Sequence, residues 1–276
     1  MKYSLWAMAL FSLLFVQSCH KQESAVATTN TEGKLIDLQT EDLSYGINGV
    51  THRPYAMYDK NAKGPLPVVF VLPEWWGIND YIKDRVKQVA SLGYYAVAVD
   101  YYGEAKEVTT VEEAQKLSSH FYQVPIDARR MFDAVKNRMA QSEIADYNKM
   151  AVIGYCFGGA QALNMGRLSD DFKGVVSFHG NLMTGIKPNN SSVKYLVLNG
   201  ADDNFVSKEE IAKFEKQMDS AKIDYKMVHY PGALHAFTNP SSTETGKKLG
   251  LDIAYNKEAD EKSWNEMKVF LEEIFK

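Results

Sequence analysis

One short stretch constrains this chain more than any other: Gly154-Tyr155-Cys156-Phe157-Gly158-Gly159. It follows the apolar run Lys149 to Ile153, and a segment with helical character runs on from Phe157 to Arg167. A strand that turns sharply into a helix, with a nucleophilic side chain at the turn and glycine two residues to either side, is the nucleophile-elbow pattern. Cysteine stands here where serine is usual. Side chains at the flanking positions would collide across so tight a turn, so glycine is required there. A helix beginning at the nucleophile directs the positive end of its dipole at it and favours a thiolate. The Phe157 backbone N–H is then placed to hold an oxyanion.

The surrounding sequence supplies a matching scaffold. Pro67 to Leu72 is a continuous apolar run ended by Pro73, as expected of a strand buried on both faces of a parallel sheet. Further strands are expected at 95–100, 149–154, 175–178, 195–198 and 225–230. Between them fall helices: Asn79 caps one that ends at Ser91 before Gly93, Pro125 starts one to Met139, and Ser207 caps one to Ala221. A closing helix is expected to be capped by Ser263. Asn48-Gly49 marks an antiparallel hairpin within 35–59. Strand alternating with helix implies one α/β domain over 35–276, mostly parallel, with helices on both faces. The polar and aromatic segment 101–124 has the character of a lid.

An elbow nucleophile calls for an acid and a histidine later in the chain, in that order. His235, in Gly232-Ala233-Leu234-His235-Ala236-Phe237, follows the last expected strand and precedes the final helix. The strand before it ends at Asn199-Gly200, and two acids stand there, Asp202 and Asp203. The pattern Gly-x-x-Asp-x-x-Val, with Val206, favours Asp203 without excluding Asp202. The acid would hold the imidazole in one tautomer and stabilise its charged form. Glu74, in Pro73-Glu74-Trp75-Trp76-Gly77, ends the first buried strand, and the loop it sits in would supply a second oxyanion donor, the Trp75 N–H. Aromatic residues flank these motifs. Trp76, Tyr101, Tyr102, Phe205 and Phe237 are candidates to line an apolar substrate pocket. His179 also follows a strand, and its simplest role is structural.

Taken together, these motifs resemble the dienelactone hydrolase family of α/β-hydrolases over roughly residues 35–276. Ala254-Tyr255-Asn256, Ala259 and Trp264 extend the likeness toward the C-terminus. The resemblance implies an α/β-hydrolase fold and an ester- or lactone-hydrolysing enzyme with a Cys156–His235–Asp203 triad. It also implies that Glu74 couples to the thiol and accepts a hydrogen bond from it. Metal and organic cofactors are not expected. Family members that open dienelactone carry an arginine after the strand that here ends at Asp100; this chain reads Tyr101-Tyr102-Gly103-Glu104-Ala105 instead. Arg85, Arg129 and Arg130 are the candidates to replace it. An acyltransferase or thioesterase on the same triad is the alternative, and a lipid-anchored binding protein is a third.

The N-terminus reads as an address. Lys2 precedes a run from Leu5 to Val16 that is too short to span a bilayer but suits a signal peptide over 1–18. Val16-Gln17-Ser18-Cys19 resembles a bacterial lipobox, which implies cleavage before Cys19 and lipidation of that residue; Gln17 departs from the usual small residue. A plain secretory signal is the alternative. Residues 19–34 are polar and expected to be a flexible tether. The chain is therefore expected to be exported and held on a membrane of a bacterial envelope, its folded part a monomer. With a formal net charge of -4, it lacks the basic surface that drives nucleic-acid binding. Its two cysteines, Cys19 and Cys156, cannot build a multi-thiolate zinc site.

Overall fold

The computed structural model describes residues 27–29, 35–188 and 192–276. The expected signal peptide and Cys19 lie outside them. A nine-stranded sheet runs through the molecule. Its strands are β1 (Ala27–Thr29), β2 (Leu35–Asp42), β5 (Tyr55–Asp59), β6 (Leu66–Leu72), β7 (Tyr95–Ala98), β8 (Ala145–Tyr155), β9 (Gly174–Phe178), β10 (Lys194–Gly200) and β11 (Tyr225–Tyr230), in the order β1-β2-β5-β7-β6-β8-β9-β10-β11. From β7 to β11 neighbouring strands are parallel, while β1, β2 and β5 form an antiparallel flank. The hairpin β3 (Tyr45–Ile47) and β4 (Val50–His52) stands apart as a second small sheet. Its turn residues Asn48 (φ 51) and Gly49 (φ 80) both adopt the left-handed backbone that a two-residue hairpin turn of this kind needs.

The apolar run of β6 behaves as its composition demands. Val68, Phe70 and Leu72 join one core cluster, and Val69 and Val71 join the other, on the opposite face. Each such side chain, fully buried, contributes about 1.5–3 kcal/mol. The first face is covered by α2 (Val111–Gln123), α3 (Pro125–Met139), α4 (Phe157–Leu168) and α5 (Lys208–Ser220); the second by α1 (Asp80–Ser91) and α7 (Lys257–Ile274). Pro67 has no N–H to give to a ladder, and the register with β8 slips between Pro67 and Val68.

Two expectations are refined, and two elements were not anticipated. The 101–124 segment, expected as a lid, contains α2, capped by the Thr110 side chain and anchored by Ala114, Ser118 and Phe121. Ala114, Ser118 and Phe121 recur at helical spacing behind a Thr110 cap, so this helix carried a local signal. The closing helix starts at Lys257 under an Asn256 cap, and Ser263 is buried within it, its hydroxyl donating to the Asp260 carbonyl at 3.0 Å. A short helix, α6 (Ser242–Leu249), was not anticipated. Within the expected tether, Ala27–Thr29 pairs antiparallel with β2; its two threonines suit a strand, and β2 offers an edge to pair with.

The order β7-β6-β8 is what positions the site. From β6 the chain crosses to β7 on one side and later returns to β8 on the other. The loops leaving β6 and β8 therefore diverge, opening a crevice at the carboxyl ends of the strands, where open α/β sheets bind ligands. Glu74 follows β6 and Cys156 follows β8.

Candidate active site

Cys156 sits between β8 and α4 with φ 54 and ψ -117, a strained backbone for a residue with a side chain. The glycines around it are sterically forced. A Cβ on Gly154 would lie 2.0 Å from the Gly158 carbonyl oxygen, and one on Gly158 would lie 2.2 Å from that of Leu72. The elbow is thus pressed against the end of β6, which fixes Cys156 relative to the Glu74 loop.

His235 Nε2 lies 3.1 Å from Cys156 Sγ, and His235 Nδ1 lies 2.9 Å from Asp203 Oδ2. The other Asp203 oxygen accepts the Phe205 N–H at 2.8 Å. Asp203 and His235 are both buried, whereas Asp202 is exposed and makes only a backbone bond to Ala233. Of the two acids left open by the sequence, the structure brings Asp203 to the histidine. Burial works against a charged His235 ring, but the Cys156 sulfur and the Asp203 carboxylate outweigh it and raise the ring to about 10.

Glu74 is buried, and that burial pushes its carboxyl up to about 7 against the opposing pull of Asn239 and His235. Asn239 Nδ2 donates to Glu74 Oε2 at 2.8 Å. The expected bond from the Cys156 thiol to Glu74 is not formed; the sulfur is turned to His235 instead. Trp75 and Phe157 line the cavity over the thiol, and the Tyr102 hydroxyl donates to the Trp75 carbonyl at 3.1 Å, holding that loop in place.

His179 is fully buried beneath the elbow. Its Nδ1 shares the Cys156 backbone N–H with the Phe178 carbonyl, at 3.1 and 3.0 Å, and its Nε2 lies 2.8 Å from Thr238 Oγ1. The Thr238 hydroxyl in turn lies 2.7 Å from that of Tyr81. Burial, together with the charges of His235 and Arg85, holds the His179 ring well below the ordinary histidine range. The ring is therefore neutral, with its proton on Nε2. Among the described residues, Cys156, His179 (φ 42) and Ala236 (φ 56) all carry left-handed backbone, so strain collects at the site.

A cavity of about 260 Å³ opens over Cys156. Trp76 and Phe205 line it as expected, together with Tyr122, Asn181, Leu251 and Ile253. Tyr101, Tyr102 and Phe237 do not line it. Tyr101 packs into the core against Phe121 and Phe157, Tyr102 supports the Trp75 loop from behind, and Phe237 is buried against His179 and Tyr230. None of the three candidate arginines reaches it either. Arg85 is paired with Asp260, Arg129 with Asp133 and Asp171, and Arg130 with Asp127. Asn239 and Thr238 were missed by sequence reasoning, although both lie within four residues of His235. Leu251 and Ile253 carried no signal at all, because the chain beyond the histidine loop folds back over the site only through α6. Among the described residues no group of histidine, cysteine and acidic side chains could hold a metal ion.

The model of the dienelactone hydrolase family matches residues 53–275. Protein usf of Aquifex pyrophilus is 27% identical over 215 residues, covering 76% of this chain and 91% of that protein. A Bradyrhizobium protein described as "Probable 2-oxo-3-(5-oxofuran-2-ylidene)propanoate lactonase" is 26% identical over 240 residues, covering 82% of this chain and 91% of its own. The crystal structure of a dienelactone hydrolase-like promiscuous phosphotriesterase from metagenomic libraries superposes with a TM-score of 0.79 at 29% identity, over 87% of this chain and 99% of that one.

Proposed function

The chain belongs to the dienelactone hydrolase family, and from that premise we propose that it hydrolyses carboxylic esters or lactones through a covalent acyl-enzyme on Cys156. The observation that carries this reading is the linear arrangement of Cys156 Sγ, the His235 ring and Asp203 at 3.1 and 2.9 Å.

In the proposed reaction the Cys156 sulfur attacks the ester carbonyl while His235 holds the thiol proton. The Phe157 and Trp75 backbone N–H groups hold the oxyanion that forms. The carbon–oxygen bond to the alcohol then breaks, and the alkoxide leaves with the proton from His235. A water molecule, giving its proton to His235, attacks the thioester; the acid departs and the sulfur recovers its proton. Asp203 keeps the ring oriented and stabilises its charged form. The cleft has a buried glutamate and no arginine or lysine in its lining, and the His235 charge is already paired with Asp203 and the Cys156 sulfur, so a substrate carboxylate there would lose its hydration without gaining a counter-ion of its own. The reading is therefore an acyl group without charge, in contrast to an anionic lactone.

The same reading includes export of the chain and a lipid anchor at Cys19, which rest on the N-terminal pattern alone. Loss of lipid labelling in Cys19→Ser tests that part. For the enzyme, uncharged aryl esters and lactones are assayed with the wild type and Cys156→Ala side by side. Hydrolysis by the wild type alone supports the reading; hydrolysis by neither, or equally by both, overturns it.

A further inference from the structure

A second cavity of about 300 Å³ adjoins the first, and nothing in the proposed reaction uses it. The two share Glu74, Trp76, Ala236 and Ile253 as common walls. Their linings differ in chemistry. The first is dominated by aromatic and aliphatic side chains around Cys156. The second presents the hydroxyl-bearing residues Thr109, Ser241 and Thr245, the carboxylates Asp80 and Glu107, and Lys248. In the same wall the Ser242 hydroxyl is buried without a hydrogen-bond partner. An unpaired buried hydroxyl is a standing cost, which a polar ligand would relieve.

The position of this cavity relative to the histidine decides what belongs in it. Ala236, Asn239, Ser241 and Ser242 all follow His235 on the same stretch of chain. In an acyl transfer the group that takes a proton from the histidine is the departing alcohol, so the alcohol half of the substrate lies toward the histidine loop. The acyl half is left to the apolar cleft. Carboxylates outnumber cations in the second cavity's lining, and this disfavours an anionic leaving group.

We propose that this second cavity is the subsite for the leaving alcohol, and that it takes an uncharged, hydroxyl-rich one such as a sugar or polyol. This rests on the ester-hydrolase reading above and adds the class of the alcohol to it. The substrate is then an ester whose apolar acyl group lies over Cys156 and whose polyol hydrogen-bonds around Thr109, Ser241, Ser242 and Thr245. Contacts to the remote hydroxyls contribute to turnover to the extent that they strengthen as the alcohol departs.

The test compares two acetates that differ only in the alcohol, ethyl acetate and 6-O-acetylglucose, by titrating released acid. The expected kcat/KM is higher for the sugar ester by about tenfold or more. Thr245→Trp and, at an exposed position, Thr109→Trp fill the cavity, and each is expected to bring the ratio of the two esters back toward one. Thr109→Trp keeps the test decisive if Thr245→Trp does not fold. Equal kcat/KM for the two esters, or an advantage that survives in the folded variants, overturns the subsite. Hydrolysis of both esters by Cys156→Ala would instead overturn the nucleophile assignment, so the two failures are distinguishable.

Discussion

The backbone N–H of Cys156 donates to Nδ1 of His179 across 3.1 Å, and the far side of the same ring meets Thr238, three residues beyond His235. One neutral, buried imidazole thus ties the Cys156 backbone to the loop that carries His235. The distance between Cys156 Sγ and His235 Nε2 depends on both ends of that strut. Tyr81 and Arg85 brace its outer end, through the Thr238 hydroxyl and the Thr238 carbonyl, at 2.7 and 2.6 Å.

Removing the strut should therefore slow the chemical step without weakening binding. His179→Phe keeps an aromatic ring but leaves the Cys156 N–H to the Phe178 carbonyl alone. A loosened nucleophile lowers kcat by roughly 10- to 100-fold, with KM unchanged. His179→Asn places an oxygen near the former Nδ1 and should recover part of the loss. Steady-state kinetics on an aryl ester check this, and wild-type kcat in His179→Phe would refute the strut.

The two neighbouring acids should separate cleanly. Asp203→Asn leaves the shape of the site intact but no longer fixes the tautomer of His235, and kcat should fall roughly 100- to 10,000-fold. Asp202→Asn alters an exposed side chain and should leave kcat within about twofold. The reverse ranking would reassign the acid.

Much of this was legible before the fold was known, and the reasons are local. The elbow announces itself because steric necessity puts glycine at 154 and 158. Asn79, Ser207, Pro125 and Asn48-Gly49 mark their elements because capping and turn chemistry act within a few residues. What stayed hidden depends on contacts between distant segments. Tyr101 and Phe237 carry the residue type of a pocket wall, but their backbone directions turn them into the core. Glu74 was visible as a buried-strand-end carboxylate, whereas its partner Asn239 comes from 165 residues away.

Glu74 also makes a prediction about stability. Burial raises its carboxyl from 4.5 to about 7. Between those values the unfolded chain is ionised while the folded chain keeps the proton, so the folded state binds more protons and stability falls as pH rises across that window. Above it the penalty is constant. Glu74→Gln can still accept the Asn239 hydrogen bond but carries no such penalty. The stability of the variant relative to wild type should therefore rise by roughly 3 kcal/mol between pH 4.5 and 8. Urea unfolding at the two ends measures it, and a difference independent of pH would show that Glu74 is not held protonated by burial.

In the proposed reaction the substrate's acyl group passes through Cys156. Intact-protein mass spectrometry after rapid mixing with 4-nitrophenyl acetate measures this directly. The account predicts an added acetyl group that maps to the peptide containing Cys156, decays at a rate compatible with turnover, and is absent from Cys156→Ala. Full turnover with no adduct at any time, or an adduct on another residue that persists in Cys156→Ala, would contradict it.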